Sequence, residues 1–103
     1  MTFSVKTSSF EMQTAGFGDI LDITRQVAKG VSGSGLSDGT ATVFVPGSTA
    51  GITTIEYEPG AVEDLKKAIE RQASANLHYA HDARWGDGNG FSHVRAALMG
   101  ASL

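Results

Sequence analysis

Residues 61–75 carry the strongest structural signal in the chain, an apolar pattern that repeats every three to four positions. Charged residues occupy most of the positions between the apolar ones. Side chains at this spacing share one face of an α-helix, and the charges then fall on its other faces. The segment therefore predicts an amphipathic helix built on Val62, Leu65, Ile69 and Ala73.

Shorter patterns predict two further helices. Apolar residues four positions apart predict a helix over residues 22–31, with Asp22 placed to cap its first N–H groups. Another helix is predicted to begin near Asn89, whose side chain can cap it, and to stop at Gly100. Residues 76–90 mix polar residues with aromatic and imidazole rings and show no period. They predict a loop that carries functional residues.

Three segments favour β-strands. Phe3 and Val5 alternate with polar residues, which is typical of a strand with one covered face. Residues 41–45 are rich in β-branched and aromatic side chains and end at Pro46, and residues 52–57 follow after a glycine-rich connection. Three strands with three helices predict an α+β architecture. So few strands leave exposed edges, which strands from this chain or a neighbour must cover.

Composition predicts one globular domain and narrows the choice of partners. The 103 residues are 41% hydrophobic and 18% charged, and no apolar run approaches the roughly 20 residues that cross a bilayer. A net charge of −3 without a basic cluster predicts no nucleic-acid partner. The N-terminus has the pattern of neither a signal nor a transit peptide, which predicts a cytoplasmic protein. Since the chain has no cysteine, histidine and carboxylate are its strong metal ligands.

Three blocks of sequence occur in a recognisable order. Residues 43–56 read VFVPGSTAGITTIE, residues 79–82 read YAHD, and Asn89 is followed four positions later by His93. In order and spacing, these blocks resemble the signature of the YjbQ family, also called UPF0047. In that family a strand ends in Pro-His-Thr-Thr-Ala and the next strand carries a Glu. The resemblance extends from residue 3 to residue 103.

Two departures from the family pattern stand out. Gly47 and Ser48 occupy positions where many members have His and Thr, a variant that resembles a Gly-Ser-Thr-Ala subgroup. Nothing here corresponds to the family's further C-terminal strands, so residues 1–103 are interpreted as a single YjbQ-like domain that is incomplete at its C-terminus. The resemblance implies an α+β fold with a β-sandwich-like core of mixed or antiparallel strands, packed helices and assembly as a homotrimer. It also implies a secondary thiamine-phosphate synthase activity, which joins hydroxymethylpyrimidine diphosphate to thiazole phosphate.

His81 and His93 are the main candidates for chemistry. Imidazole is a common metal ligand and the usual acid or base near neutral pH, and carboxylates can complete such a site. We therefore predict His81, His93 and Glu56 as catalytic residues. We predict His81, His93 and Asp82 as ligands of a divalent metal, zinc or magnesium. The alternatives are surface or helix-capping histidines, an Asp82 bonded to its own backbone, and a solvent-facing Glu56; His78 is predicted to be a surface residue.

The glycine-rich connection at residues 47–51, hereafter the 47–51 loop, is a candidate phosphate site. Its backbone N–H groups and hydroxyls can donate to phosphate oxygens. Gly47, Ser48 and Thr49 are accordingly predicted to bind ligand, and Asn89 joins them through its matched block. The alternative is a tight strand connection that uses glycine for conformational reasons alone. No helix is predicted to follow directly, so the loop is neither a P-loop nor a Rossmann turn.

Three functions remain open from the sequence. The leading hypothesis is an enzyme that uses metal or acid–base chemistry on a phosphorylated heterocycle, with Arg84 or Arg95 available to clamp a phosphate. The second is a non-catalytic trimer that binds a metal or a phosphate-bearing ligand. The third is a shortened copy with a structural role or no independent one.

Overall fold

A computed structural model describes residues 2–103. They contain four helices: α1 (Thr24–Gly33), α2 (Pro59–Gln72), α3 (Ala80–Trp85) and α4 (Gly90–Met99). The chain divides into two compact units, the first ending at Ala41 and the second formed by Thr42–Leu103. Across residues 2–103, every helix is too short or too polar to span a bilayer.

The first unit contains α1, which confirms the helix predicted near residues 22–31 and shifts it by two residues. Asp22 does stabilise the helix start: its Oδ1 accepts hydrogen bonds from the backbone N–H of Thr24 at 3.0 Å and from the Thr24 hydroxyl at 2.6 Å. These two bonds favour the charged carboxylate and lower the pKa of Asp22. Because Asp22 bonds to Thr24, the helix begins after Ile23 rather than at Asp22.

In the second unit, α2 confirms the strongest prediction from the sequence. The helix starts at Pro59, whose fixed backbone angle suits the first helical position. Glu58 caps it, because its carboxylate accepts from the N–H groups of Gly60, at 2.9 Å, and of Ala61. The cap places the helix start two residues before the one predicted.

The end of α2 is tied to α4 through Arg95. Its Nε donates to the backbone carbonyl of Ala73 at 2.9 Å, and its Nη2 donates to Glu70 at 2.5 Å. The guanidinium also lies 4.9 Å from the ring centre of Phe91. Ala73 and Phe91 are 2% and 5% exposed, so the clamp lies beside the buried apolar residues of this unit. The sequence left open a role for Arg95 in clamping a phosphate. In the structure its guanidinium instead bonds to groups at the end of α2.

Residues 76–90 contain a helix that the sequence did not predict. The short α3 occupies part of the predicted loop and ends at Gly86, which has the left-handed φ of 74° that glycine tolerates. The following α4 confirms the predicted C-terminal helix, which ends at Gly100. These two helices contact each other and position the candidate site.

The prediction of an α+β fold with a β-sandwich-like core is wrong for the described residues. Residues 2–103 form no sheet, and their one pairing is an antiparallel bridge between Phe44 and Ser102. Around it, Val43 exchanges two 2.9 Å backbone hydrogen bonds with Leu103, and Val45 donates one to Ala101. Neither residues 3–5 nor residues 52–57 form the predicted strands. β-branched composition favours an extended chain, but a ladder also requires a partner segment, and here residues 101–103 partner only residues 43–45.

Candidate functional site

The two histidines that the sequence singled out lie side by side. His81 is the second residue of α3, and His93 lies in the first half of α4. Their ring centres are 4.5 Å apart with an interplanar angle of 77°, so the edge of one ring meets the face of the other. The contact between α3 and α4 therefore joins residues that are twelve positions apart in sequence into one pair.

The 47–51 loop holds one ring of this pair. His93 Nδ1 lies 3.0 Å from the backbone carbonyl oxygen of Ser48. A carbonyl oxygen can only accept, so Nδ1 carries the proton and donates it. In a neutral ring the remaining nitrogen, Nε2, then holds the lone pair that can bind a proton or a metal. The loop predicted to bind phosphate and the histidine predicted to do chemistry thus meet in one place.

Oxygen atoms surround Nε2 of the other ring. The Oδ1 atom of Asn89 lies 3.0 Å from His81 Nε2, and the two carboxylate oxygens of Asp87 lie 3.1 and 3.3 Å from it. The His81 side chain is 33% exposed and that of Asp87 is 48% exposed, so a ligand from solvent can reach both. Asn89 stands at the N-cap position of α4, but its side chain makes no capping hydrogen bond. The expected cap role of Asn89 is therefore wrong, because its side chain faces His81 instead.

Asp82 performs the capping that the sequence expected of Asn89. Its Oδ1 accepts from the backbone N–H of Gly90, the first residue of α4, at 2.8 Å. A carboxylate at a helix N-terminus satisfies a free N–H group and interacts favourably with the helix dipole. Asp82 thereby fixes the start of α4 relative to α3, and so the relative placement of the two histidines.

Three side chains of this region have the spacing of a cation site. One ligand atom from each of His81, Asp82 and Asp87 lies within 4.8 Å of the others. An imidazole with two carboxylates is a donor set found around zinc, while magnesium prefers the carboxylates. The set fits a divalent cation, but it differs from the predicted ligand set because Asp87 replaces His93. His93 is not a member of this group.

A cleft of about 340 Å³ opens beside His93. The 47–51 loop forms one wall, and the last turn of α4 with the residues after it forms the other. The two walls are joined by a 2.9 Å hydrogen bond from the N–H of Ile52 to the carbonyl of Gly100. Apart from the imidazole, its lining consists of small residues: Gly47, Ser48, Ala50, Ala96, Ala97, Gly100 and Ala101.

The whole segment that carries this geometry matches one protein family. Residues 8–103 fit the family model described as UPF0047 protein YjbQ-like. The chain belongs to this family. The YjbQ-like resemblance of the sequence blocks is thereby confirmed.

Relatives of the YjbQ-like family support the same conclusion. A UPF0047 protein of Methanothermobacter thermautotrophicus is 32% identical over 98 residues, which are 95% of this chain and 67% of that protein. The UPF0047 protein YugU of Bacillus subtilis is 30% identical over 95 residues, 91% of this chain and 70% of the relative. The chain thus spans about two thirds of the length of these curated relatives.

A solved structure shares the fold. It is the crystal structure of an uncharacterised conserved protein of the YjbQ/UPF0047 family from Clostridium acetobutylicum, an orthologue of B. subtilis YugU. It is 35% identical to this chain, with a TM-score of 0.76, and the match covers 88% of this chain and 69% of that one.

Other predicted site residues lie outside the imidazole pair. Glu56 and Thr49 are exposed, and neither makes a hydrogen bond or an ion pair with His81 or His93 within residues 2–103. His78 is exposed, as the sequence predicted. Glu56 therefore has no contact that supports a direct role with the histidines.

Asp87 is the residue that sequence reasoning missed. Its only local signal is a carboxylate between two glycines, Gly86 and Gly88, at the end of an aperiodic stretch. Both glycines have left-handed φ values, 74° and 68°, which mark a specific turn rather than a flexible linker. Such a turn fixes the position of the residue between the two glycines, so the Gly-Asp-Gly sequence is the signal that could have identified Asp87.

Proposed function

We propose that this YjbQ-family chain binds a phosphorylated heterocycle in the cleft beside His93 and that His81 and His93 act on it as an acid–base pair. The observation that carries the proposal is that His93 lines the cleft beside the 47–51 loop while its ring contacts that of His81 at 4.5 Å. His93 is fixed to that wall through Ser48. Through His93, the imidazole pair can exchange protons with a ligand in the cleft.

The 47–51 loop supplies the proposed phosphate contacts. Within residues 2–103, the backbone N–H groups of residues 47–51 donate no hydrogen bond to another backbone carbonyl. Gly47 has a φ of 103°, a backbone conformation that glycine adopts readily and that occurs in anion-binding loops. The Ser48 and Thr49 hydroxyls, on exposed residues, add further donors. Together they offer a neutral cradle suited to phosphate oxygens.

The reaction we propose is the formation of thiamine phosphate. The ring nitrogen of a thiazole phosphate attacks the methylene carbon of hydroxymethylpyrimidine diphosphate, and the C–O bond to pyrophosphate breaks as the new C–N bond forms. Pyrophosphate leaves with the electron pair of the broken bond. A protonated His93 would donate its second N–H, on Nε2, to the pyrophosphate oxygens as charge develops there. A divalent cation bound by His81, Asp82 and Asp87 would supply further neutralisation of that charge.

Assembly into a homotrimer is part of the proposal. Large apolar side chains of the second unit are exposed, among them Phe44 at 65%, Leu98 at 62% and Leu103 at 56%. Exposed apolar side chains of this size favour association, and a closed symmetric assembly buries the same apolar surface on every copy. Light scattering tests the oligomeric state, and a monomer at all concentrations would remove this part of the proposal.

Turnover of the two precursors tests the proposed reaction. Purified protein is assayed for thiamine phosphate with and without added zinc or magnesium, alongside His81→Ala and His93→Ala. Loss of an acid–base group predicts a fall in rate of about 100-fold or more. His78→Ala is the matched control, because His78 is an exposed histidine three residues from His81. Absence of product from the wild type under every metal condition would remove the reaction.

A second candidate function is metal or phosphate binding without turnover. The spacing of His81, Asp82 and Asp87 favours this function, since a solvent-accessible imidazole with two carboxylates can bind a cation without catalysing a reaction. After dialysis against a chelator, titration with zinc and with magnesium measures this binding directly. Metal binding lost in His81→Ala but kept in His78→Ala, with no product formed, would favour this function over the enzyme.

A further inference from the structure

We infer that, when no cation is bound, Asp87 is a positioning residue that keeps the proton of neutral His81 on Nε2, so that His81 and His93 present opposite ring nitrogens to a ligand. The inference rests on the proposed function of the pair and deepens it, because it states which lone pairs are available. It also gives Asp87, so far considered only as a cation ligand, a role in the cation-free protein.

The turn after α3 brings Asp87 to its place. Gly86 closes the helix by donating its N–H to the carbonyl of Asp82 at 2.8 Å. Gly86 and Gly88 both adopt left-handed φ values, which a side chain at either position would oppose. The chain thus reverses at Asp87, and its carboxylate lies against His81, at the start of the helix that has just ended.

The chemistry of the three oxygens around His81 Nε2 decides where the proton lies. The two Asp87 oxygens, at 3.1 and 3.3 Å, belong to a carboxylate, which at neutral pH can accept but not donate. The Asn89 side chain, at 3.0 Å, is an amide that can present either its oxygen or its NH₂ group. The carboxylate is therefore the group that requires a proton on Nε2. The Asn89 amide is compatible with that proton because it presents its oxygen to Nε2.

The other ring has the opposite arrangement. The Ser48 carbonyl requires the proton of His93 on Nδ1. The lone pairs of the neutral pair then lie on His81 Nδ1 and His93 Nε2. A ligand that uses both rings has to approach those two atoms. Asp87 acts on such a ligand through His81, in the way that carboxylates behind metal-bound or catalytic histidines fix their tautomer.

Imidazole nitrogen NMR on ligand-free, metal-free protein tests the inference. Long-range ¹H–¹⁵N spectra at about pH 8.5, where free imidazole is neutral, report the protonated nitrogen of each ring. In the wild type we expect His81 protonated on Nε2 and His93 protonated on Nδ1. In Asp87→Asn, a variant of the same shape without the obligate acceptor, the His81 nitrogen shifts should move toward tautomer averages. Exchange of its Nε2 proton with water should accelerate about tenfold or more, while His93 stays unchanged.

Two controls keep this test independent of folding and of the proposed function. Asp64→Asn changes an exposed carboxylate on α2 and should leave both rings as in the wild type. Asp87→Ala should reproduce the effect of Asp87→Asn on His81. A wild-type His81 protonated on Nδ1 or already averaged, or an Asp87→Asn spectrum identical to the wild type, would overturn the inference. Since no substrate is present, absent turnover removes the proposed function without touching this result.

Discussion

Gly90 is a position where a single added methyl group should disturb the candidate site directly. It is buried, it is the first residue of α4, and its N–H is the one capped by Asp82. A Cβ added there would lie 2.7 Å from the Cβ of Tyr79 and 3.1 Å from Asp82 Oδ1. Tyr79 cannot move away easily, because its hydroxyl donates to the carbonyl of Ser74 at 2.6 Å.

The expected cost of Gly90→Ala follows from these contacts. Carbon atoms pack at about 3.5–4.0 Å, so the new methyl must move by roughly 1 Å relative to Tyr79. Overpacking of this kind costs about 1–3 kcal/mol, and a weakened Asp82 cap adds about 1 kcal/mol. Alanine regains up to about 1 kcal/mol through its better helix propensity. We therefore expect the free energy of unfolding to fall by about 1–3 kcal/mol.

Urea unfolding followed by circular dichroism measures this change. Gly33→Ala is the matched control, because Gly33 is also a helical glycine, at the end of α1, and a Cβ there meets nothing within 4 Å. The control should be neutral or slightly stabilising. A Gly90→Ala protein that unfolds at the wild-type urea concentration or above would refute the reasoning about the contact between Gly90 and Tyr79.

Three further predictions concern the second unit. Arg95→Met should lower the free energy of unfolding by about 1–3 kcal/mol in urea titrations, because it leaves the carbonyl of the buried Ala73 without its donor. The hydrogen bond from the Ser74 hydroxyl, followed by the contact with Arg95, lowers the pKa of Glu70. The charged carboxylate therefore contributes stability above the ordinary carboxyl pKa, and this contribution is lost as pH falls through the lower pKa of the folded state. In thermal melts from pH 6 down to pH 3, Glu70→Gln should lose less stability than the wild type, and an equal loss in both proteins would contradict this. Gly51→Ala should destabilise by about 1–3 kcal/mol in the same urea assay, because its Cβ would lie 2.6 Å from Met99 Cβ, and an unchanged midpoint would contradict it.

The helices could largely be predicted from the sequence because their signals are local. The apolar period of α2 and the glycine that ends α4 are readable within one segment. The short α3 escaped prediction because six residues give too few turns for a period, and its end depends on the left-handed turn at Gly86. The predicted sheet failed for a different reason: residues 52–57 have strand-like composition, but strand formation depends on a distant partner.

The candidate site was predictable in its residue types and not in its geometry. His81 and His93 stood out by chemistry, yet only the packing of α3 on α4 brings their rings to 4.5 Å. Asp82 caps α4 in place of Asn89, because which side chain reaches the start of α4 depends on where α3 ends. Glu56 belongs to a sequence motif but contacts neither histidine ring. Asp87 contacts His81 but belongs to no motif.

Binding of pyrophosphate tests the central claim, that the imidazole pair and the 47–51 loop form one ligand site. Calorimetric titration of the wild type, His93→Ala and His78→Ala with pyrophosphate, in the presence and absence of magnesium, gives the three affinities. We predict one site per chain in the wild type, affinity weakened about tenfold or more in His93→Ala through loss of a charge-assisted contact, and wild-type binding in His78→Ala. No binding to the wild type, or equal weakening in both variants, would contradict the account.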